Sequence, residues 1–381
     1  MKLKSLIAAA SIAALSAGMA YADAHGGKVK VGMITTLSGG GAGLGIDVRD
    51  GFLLAAKGNE NLELVIEDDQ RKPDIAVQLA DKMIQSEKVD VMTGIIWSNL
   101  AMAVVPAVTA QGKFYLSPNA GPSALAGKGC SPLYFNVAWQ NDAFYEAGGT
   151  WASENGIEKV FLMAPNYPAG TDGMTGFKST FKGDVVGEIY TKLGQTDYAA
   201  EIAQIRASDA DTVYFFLPGG MGISFMKQYA GSGVDKKVMG PAFSFDQGIL
   251  AAIGDAALGV KNTSHWSKDL DNDANVKFVA DFQAEYGRLP SLYAAQGYDT
   301  ALLLESAMGK ADVKDAAAFQ AALEEADFAS VRGDFAFAPN HHPIQDIYMR
   351  EVVKEGDVVT NKVIGVAASD HQDVYGADCK M

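Results

Sequence analysis

Residues 29–69 read VKVGMITTLSGGGAGLGIDVRDGFLLAAKGNENLELVIEDD. Two short apolar runs, VKVGMI at 29–34 and LELVIE at 62–67, have the length and β-branched content of strands. Between them lie a glycine-rich loop and a stretch from Ile46 to Lys57 that reads as a helix. Strand, helix and strand in this order predict a parallel pair with a crossover helix. Working outward, Pro73 suits a first helical position, and Ile75, Leu79, Met83 and Ile84 recur at helical spacing. Val89 to Ile95 reads as a third strand, Ser98 as the N-cap of the next helix, and Lys113 to Leu116 as a fourth strand.

The pattern restarts after Asn141. Helices are expected near Asp142 to Asn155, Met174 to Phe181 and Met221 to Tyr229, with strands at Lys159 to Met163, Asp184 to Tyr190 and Thr212 to Phe216. Val260 to His265 reads as a strand returning toward the first sheet. Three helical stretches follow, near Ala274 to Tyr286, Tyr293 to Met308 and Asp315 to Ala326. Asp334 to Phe337 and Ile347 to Val353 alternate like strands, joined by a turn. The expected architecture is α/β: two doubly wound parallel-sheet lobes, residues 27–138 plus 265–338 and residues 139–264 plus 339–381. The chain crosses between them near Asn136 to Asn141, Asn262 to Trp266 and Pro339 to Asp346. Such crossings make a three-segment hinge.

The N-terminus has a basic start, Lys2 and Lys4, an apolar run from Leu6 to Leu15, and the small-x-small site Ala20-Tyr21-Ala22. Residues 1–22 therefore read as a signal peptide cleaved near Ala22, and the expected location is the periplasm. No later stretch has the roughly 20 apolar residues of a membrane helix, so direct membrane insertion is not expected. The chain's net charge of −15 disfavours nucleic acid and anionic membranes as partners. Its two cysteines, Cys130 and Cys379, read as one disulfide in an oxidising compartment; two free buried thiols are the alternative.

Ligands of open α/β sheets sit beyond the carboxyl ends of the strands. The first such loop, SGGGAGLG from Ser38, lacks the G-x-G-x-x-G spacing of a dinucleotide site, although Asp68 and Asp69 stand where a ribose-binding acid would lie. Trp97, Ser98 and Asn99 open a helix whose free N–H groups favour an anionic oxygen. Asn119, Ala120 and Gly121 end the neighbouring strand. Tyr167 and Gly219 end strands of the second lobe. Trp97, Trp139, Tyr167, Phe243 and Phe245 form an aromatic set suited to flanking a flat ligand. Catalytic patterns are poor: Gly121-Pro122-Ser123-Ala124-Leu125 lacks the final glycine of a nucleophile elbow. His341-His342 reads as an exposed turn without a metal-ligand cluster. No cofactor, metal or catalytic residue is expected.

EDDQRKPDIAVQLADKMI, GIIWSNLAMAVVPAV, LSPNAGPSAL and FFLPGGMG, taken in this order with the signal peptide, resemble the leucine/isoleucine/valine-type solute-binding proteins of ABC importers. The resemblance covers nearly the whole mature chain. It implies two hinged α/β lobes of the type I periplasmic binding protein fold, no cofactor, no catalysis, and delivery of a small molecule to permease membrane subunits. It places a ligand carboxylate on Trp97, Ser98 and Asn99 and on Asn119, Ala120 and Gly121. The family's amino-acid binders carry a threonine where Gly121 stands. They also carry a glutamate for the ammonium just after a Gly-Pro pair, whereas Gly240-Pro241 is followed here by Ala242. A buried ammonium without acceptors is costly. The expected ligand is therefore a benzoate- or cinnamate-type acid, in keeping with the resemblance of FFLPGGMG and Trp97 to the aromatic-acid subgroup. An amino-acid or amide binder using Asp246, an exported hydrolase, and a sensor feeding a signalling partner are the competing readings.

Overall fold

The computed structural model describes residues 28–381; the expected signal peptide lies outside them. The first lobe is built from β1 (Val29–Thr35), α1 (Ala42–Ala55), β2 (Leu62–Asp68), α2 (Pro73–Gln85) and β3 (Val91–Thr93). It continues with α3 (Ser98–Thr109), β4 (Phe114–Ser117), α4 (Ser123–Ala126) and β5 (Tyr134–Asn136). Its sheet has the order β2-β1-β3-β4-β5, parallel throughout. The strands are short apolar runs covered on both faces, as parallel sheets require.

The second lobe holds α5 (Ala143–Glu154), β6 (Lys159–Pro165), α6 (Pro168–Thr180), β7 (Asp184–Thr191) and α7 (Ala199–Ala207). Next come β8 (Thr212–Phe215), α8 (Gly220–Gly231), β9 (Lys237–Pro241), α9 (Gln247–Ile253) and β10 (Lys261–Ser264). Helices α10 (Asp273–Tyr286), α11 (Leu292–Met308) and α12 (Ala316–Glu324) follow, then β11 (Phe335–Phe337), β12 (Pro343–Glu355) and β13 (Val358–His371). The second sheet runs β11-β12-β10-β9-β8-β6-β7, with β13 paired to β12. Strand β10 belongs to this sheet, parallel to β9, so the chain returns to the first lobe only after it.

Two helices begin earlier than their sequence pattern indicates. A 3₁₀ turn at Gly39–Gly41 leads directly into α1 at Ala42. Helix α6 starts at Pro168, six residues before the expected Met174. Both starts are rich in glycine, which lowers helix propensity, yet here glycine serves close packing. A Cβ on Gly45 would lie 2.1 Å from the Thr36 carbonyl oxygen. One on Gly173 would lie 2.4 Å from the Tyr145 ring, and one on Gly176 2.8 Å from Asp142. The glycines of α6 thus let it lie against α5, and tertiary contact overrides propensity.

The hinge is held by buried arginines. Arg332 pairs with Asp299 at 2.8 Å and reaches the Ala138 carbonyl and Gln345 Oε1. Gln345 Nε2 donates to the same Ala138 carbonyl at 2.7 Å. Arg350 donates to Asn262 Oδ1 and to the Trp266 carbonyl. Charge-assisted bonds of this kind fix extended backbone that no sheet or helix satisfies. His341 and His342 depart from the exposed turn expected of them. Both are buried; His341 stacks on Phe135 at 3.9 Å, and its Nε2 lies 3.0 Å from Glu324. Among the described residues no cluster of potential metal ligands occurs, and no helix is long and apolar enough to cross a membrane.

Candidate functional site

A narrow cavity lies between the lobes. Leu44, Ile96, Trp97, Ser98, Asn119 and Tyr293 line it from the first lobe. Trp139 and Asn141 line it from the hinge, and Tyr145, Tyr167, Phe216 and Phe243 from the second lobe. No charged side chain is among the lining residues.

The indole of Trp97 is fixed by its surroundings. Its Nε1–H donates to Thr36 Oγ1 at 2.9 Å, and the Thr36 hydroxyl donates to Asp69 Oδ1 at 2.6 Å. The Arg71 guanidinium sits 5.5 Å from the ring centroid. A Cβ on Gly41 would lie 2.6 Å from the indole, so the glycine loop lies flat on it. Asp68 and Asp69 therefore anchor this loop, with Asp68 accepting the Leu37 N–H; no ribose need be invoked for them.

Across the cavity, Tyr167 sits 6.2 Å from Trp97 and stacks on Phe216 at 6.1 Å. Phe243 lies 5.8 Å from Phe216 and 4.4 Å from Trp139. Rings thus flank the space from both lobes, an arrangement that favours a flat apolar body.

The polar groups are few and neutral. Ser98 is the first residue of α3, and Trp97 is its N-cap. The Ser98 hydroxyl caps nothing; it lies 3.2 Å from Asn141 Nδ2. The Leu100 and Ala101 N–H groups donate to the Trp97 carbonyl, while the Ser98 and Asn99 N–H groups lack intrahelical acceptors, as at any helix start. Asn119 Nδ2 donates to Gln296 Oε1 at 2.8 Å, and Gln296 Nε2 lies 3.4 Å from His265 Nε2. Burial holds His265 well below its ordinary pKa, with Arg332 and Arg350 adding to the effect, so its imidazole is neutral. The Tyr145 hydroxyl is buried without a partner. Burial also raises the Tyr145, Tyr167 and Tyr293 phenols, which remain protonated donors. The site can therefore accept an anionic oxygen through neutral donors and a helix start, and it offers no carboxylate to a cation.

Of the nine residues singled out in the sequence, Trp97, Ser98, Asn119 and Tyr167 line the cavity. Asn99, Ala120, Gly121, Gly219 and Phe245 lie outside the lining. Asn99 is the next residue of α3, its Oδ1 buried and unpartnered. Ala120 gives its carbonyl to Ser117 and Tyr134 hydroxyls. Gly121 is pressed against the hinge, where a Cβ would lie 1.9 Å from the Trp139 carbonyl oxygen. Gly219 has φ +63° and faces Gly40. Phe245 is fully buried 5.2 Å from Phe215 in the core of the second lobe. Asp246 accepts the Leu292 N–H at 3.0 Å and does not reach the cavity. Asn141, Tyr145, Phe216 and Tyr293 were missed as site residues. Asn141 sits in an expected crossing, and Tyr145 and Tyr293 stand in first turns of helices opening beside the hinge, a signal available to a reading not confined to strand ends. Cys130 and Cys379 are bonded to each other.

A family model for periplasmic binding proteins matches residues 28–357. A Leu/Ile/Val-binding protein homologue of Brucella melitensis is 30% identical over 93% of this chain and 94% of its own. A solute-binding protein of an R. palustris ABC transporter, solved with benzoate, superposes with a TM-score of 0.88 at 33% identity, covering 93% of this chain and 100% of that one. A second, solved with 4-hydroxybenzoate, gives 0.84 at 28%, covering 91% and 98%. A third from Rhodopseudomonas palustris, solved with 3,4-dihydroxybenzoic acid, gives 0.82 at 30%, covering 90% and 98%. Members of this family bind small molecules and work with permease subunits rather than as enzymes. With its two parallel-sheet lobes, buried hinge and interlobe cavity, the chain belongs to the periplasmic binding protein family, as a solute-binding protein of the Leu/Ile/Val type that serves ABC transporters.

Proposed function

We propose that this protein is the exported, periplasmic receptor of an ABC importer and that its cargo is an aromatic carboxylate of the benzoate or cinnamate type. One observation carries the reading: the cavity is lined by rings and neutral donors and by no ionised side chain. The Ser98 hydroxyl, the Asn119 amide, the Tyr145 phenol and the start of α3 serve the carboxylate, and the Asn141 amide orients Ser98. Hydrogen bonds to an ionised group are the strong ones. Trp97, Trp139, Tyr167, Phe216 and Phe243 hold the ring. Asn99, Ala120, Gly121, Gly219 and Phe245 shape the loops around it. Closure of the lobes buries the acid, and the permease subunits recognise the closed form. Residues 1–22 direct the chain to the periplasm and are removed on export. The solved relatives holding benzoate and hydroxybenzoates support this reading.

A branched-chain amino acid is the second reading, favoured by the name of the Brucella relative. It needs an acceptor for the ammonium, and Asp246, the candidate for that role, is occupied outside the cavity. A thermal-shift panel of benzoates, cinnamates and the proteinogenic amino acids tests the choice. A rise in Tm with aromatic acids and none with leucine, isoleucine or valine is expected. A response confined to those amino acids overturns the proposal.

A further inference from the structure

The polar end of the cavity continues into the hinge. Asn141 Nδ2, 3.2 Å from Ser98 Oγ, also donates to Asp172 Oδ2 at 2.8 Å. The same carboxylate oxygen accepts the Ser123 N–H at 3.0 Å. Ser123 Oγ donates to Asp142 Oδ1 at 3.1 Å and accepts from Gln140 Nε2 at 2.8 Å. The other oxygen of Asp142 accepts the Tyr375 hydroxyl at 2.6 Å. A continuous chain of hydrogen bonds thus runs from the cavity wall, through both lobes, to a residue near the C-terminus.

Tyr375 belongs to a short segment after β13 that leaves the second lobe and is fastened to the first. Cys379 is bonded to Cys130. Gly127 faces the Cβ atoms of Tyr375 and Asp378, both 3.5 Å from where its own Cβ would stand. Asn340 Nδ2 ties Asp373 to the Ala126 carbonyl, at 3.0 and 2.9 Å. The segment is a strap across the mouth of the hinge, and Tyr375 is where it meets the buried network.

We infer that Tyr375 is a positioning residue for ligand capture: stapled in place by Cys130–Cys379, its hydroxyl fixes Asp142 and, through Ser123 and Asp172, the Asn141 amide that lines the cavity. The inference rests on the cavity being the ligand site. Asp142 is buried, and a buried carboxyl oxygen that loses its donor is costly. The charged and titratable groups facing it are Asp172 on α6, Glu146 on α5 and Tyr375 on the strap, with His371 at the end of β13 bonded to Glu146. The Asp142 carboxyl is raised to about 6, chiefly by burial and further by Asp172, with the Tyr375 hydroxyl opposing the rise. Loss of the Tyr375 hydroxyl therefore leaves a titration signature as well as a change in affinity.

The test uses the whole mature protein, Tyr375→Phe, and the double variant Cys130→Ser/Cys379→Ser. Benzoate affinity is measured by calorimetry. In ligand-free protein, NMR follows the Asp142 carboxyl, assigned with Asp142→Asn, and the Asn141 side-chain amide. Tyr375→Phe is expected to weaken benzoate about 5-fold, the value of one hydrogen bond, to move the Asp142 midpoint upward, and to displace the Asn141 amide signal. The double variant is expected to do the same in direction; if it fails to fold, Tyr375→Phe decides alone. An Asn141 signal unchanged in Tyr375→Phe overturns the inference whatever Asp142 does. So does an unchanged benzoate affinity in Tyr375→Phe when the wild type binds benzoate. If the wild type does not bind benzoate, the ligand proposal falls, and the ligand-free NMR comparison still decides the role of the strap.

Discussion

Two spaces lie between the lobes, and Leu44 belongs to both. The inner one is the cavity of rings and neutral donors. The outer one is a wider groove that includes Asp47, Asp246 and Arg288. There Arg288 bridges Asp47 at 2.6 Å and Asp50 at 2.7 Å, and Asp246 accepts the N–H that opens α11. The carboxylates of this region thus hold helices and lobes together, one side chain away from a cavity that has none. A zwitterionic amino acid needs both kinds of group within one molecule's reach; an aromatic acid needs only the inner kind. The proposed ligand class rests on where charge is withheld.

Breaking the neutrality of the inner space gives the largest expected effect. Asn141→Asp places a carboxylate against the bound acid and beside Asp172, and affinity for benzoate should fall by about 100-fold or more in a calorimetric titration, since like charges in a closed site repel strongly. The outer space titrates where the inner one does not. Asp47 is raised to about 7, chiefly by burial and also by Asp246, against the opposing pull of Arg288. A raised carboxyl stabilises the fold below its unfolded value near 3.8, and that contribution is lost as pH rises through 7. Asp47→Asn should therefore gain on the wild type as pH rises from 5 to 8, by on the order of 2 kcal/mol in denaturant unfolding. A pH-independent difference between the two would show that Asp47 stays ionised.

Smaller losses sharpen the inner wall. Ser98→Ala and Tyr145→Phe should each weaken benzoate about 5- to 10-fold, as the loss of one hydrogen bond to a charged group implies. Asp246→Asn keeps an acceptor for the Leu292 N–H, so benzoate affinity should stay within about 2-fold; a large loss would place Asp246 in the ligand site after all.

Much of this arrangement was legible in the chain. The runs 29–34 and 62–67 specify paired parallel strands because their apolar content has no other use, and the crossing expected at Asn136–Asn141 was placed where the pattern restarts. Helix starts at Ala42 and Pro168 were hidden because glycine lowers local propensity, while its value lay in contacts with Thr36 and Tyr145 that only the fold creates. Phe243 and Phe245 show the limit for the site. They stand two residues apart around a 3₁₀ turn, and one faces the cavity while the other packs on Phe215; neither helical nor strand periodicity applies across such a turn. Tyr145 falls within the expected helix 142–155 with nothing in the sequence to mark it, and only the structure shows its hydroxyl buried without a partner. His341 and His342 read as solvated because the turn is polar, yet aromatic neighbours from β5 cover them.

The most direct test compares two ligands that differ by one group. 3-Phenylpropanoate and phenylalanine share ring, chain and carboxylate, and only the second carries an α-ammonium. Calorimetric titration of the purified protein should show 3-phenylpropanoate binding at least about 100-fold more tightly, because a buried ammonium without an acceptor costs several kcal/mol. Equal or tighter binding of phenylalanine would contradict the account, since it would require a carboxylate partner that the lining of the inner cavity does not contain.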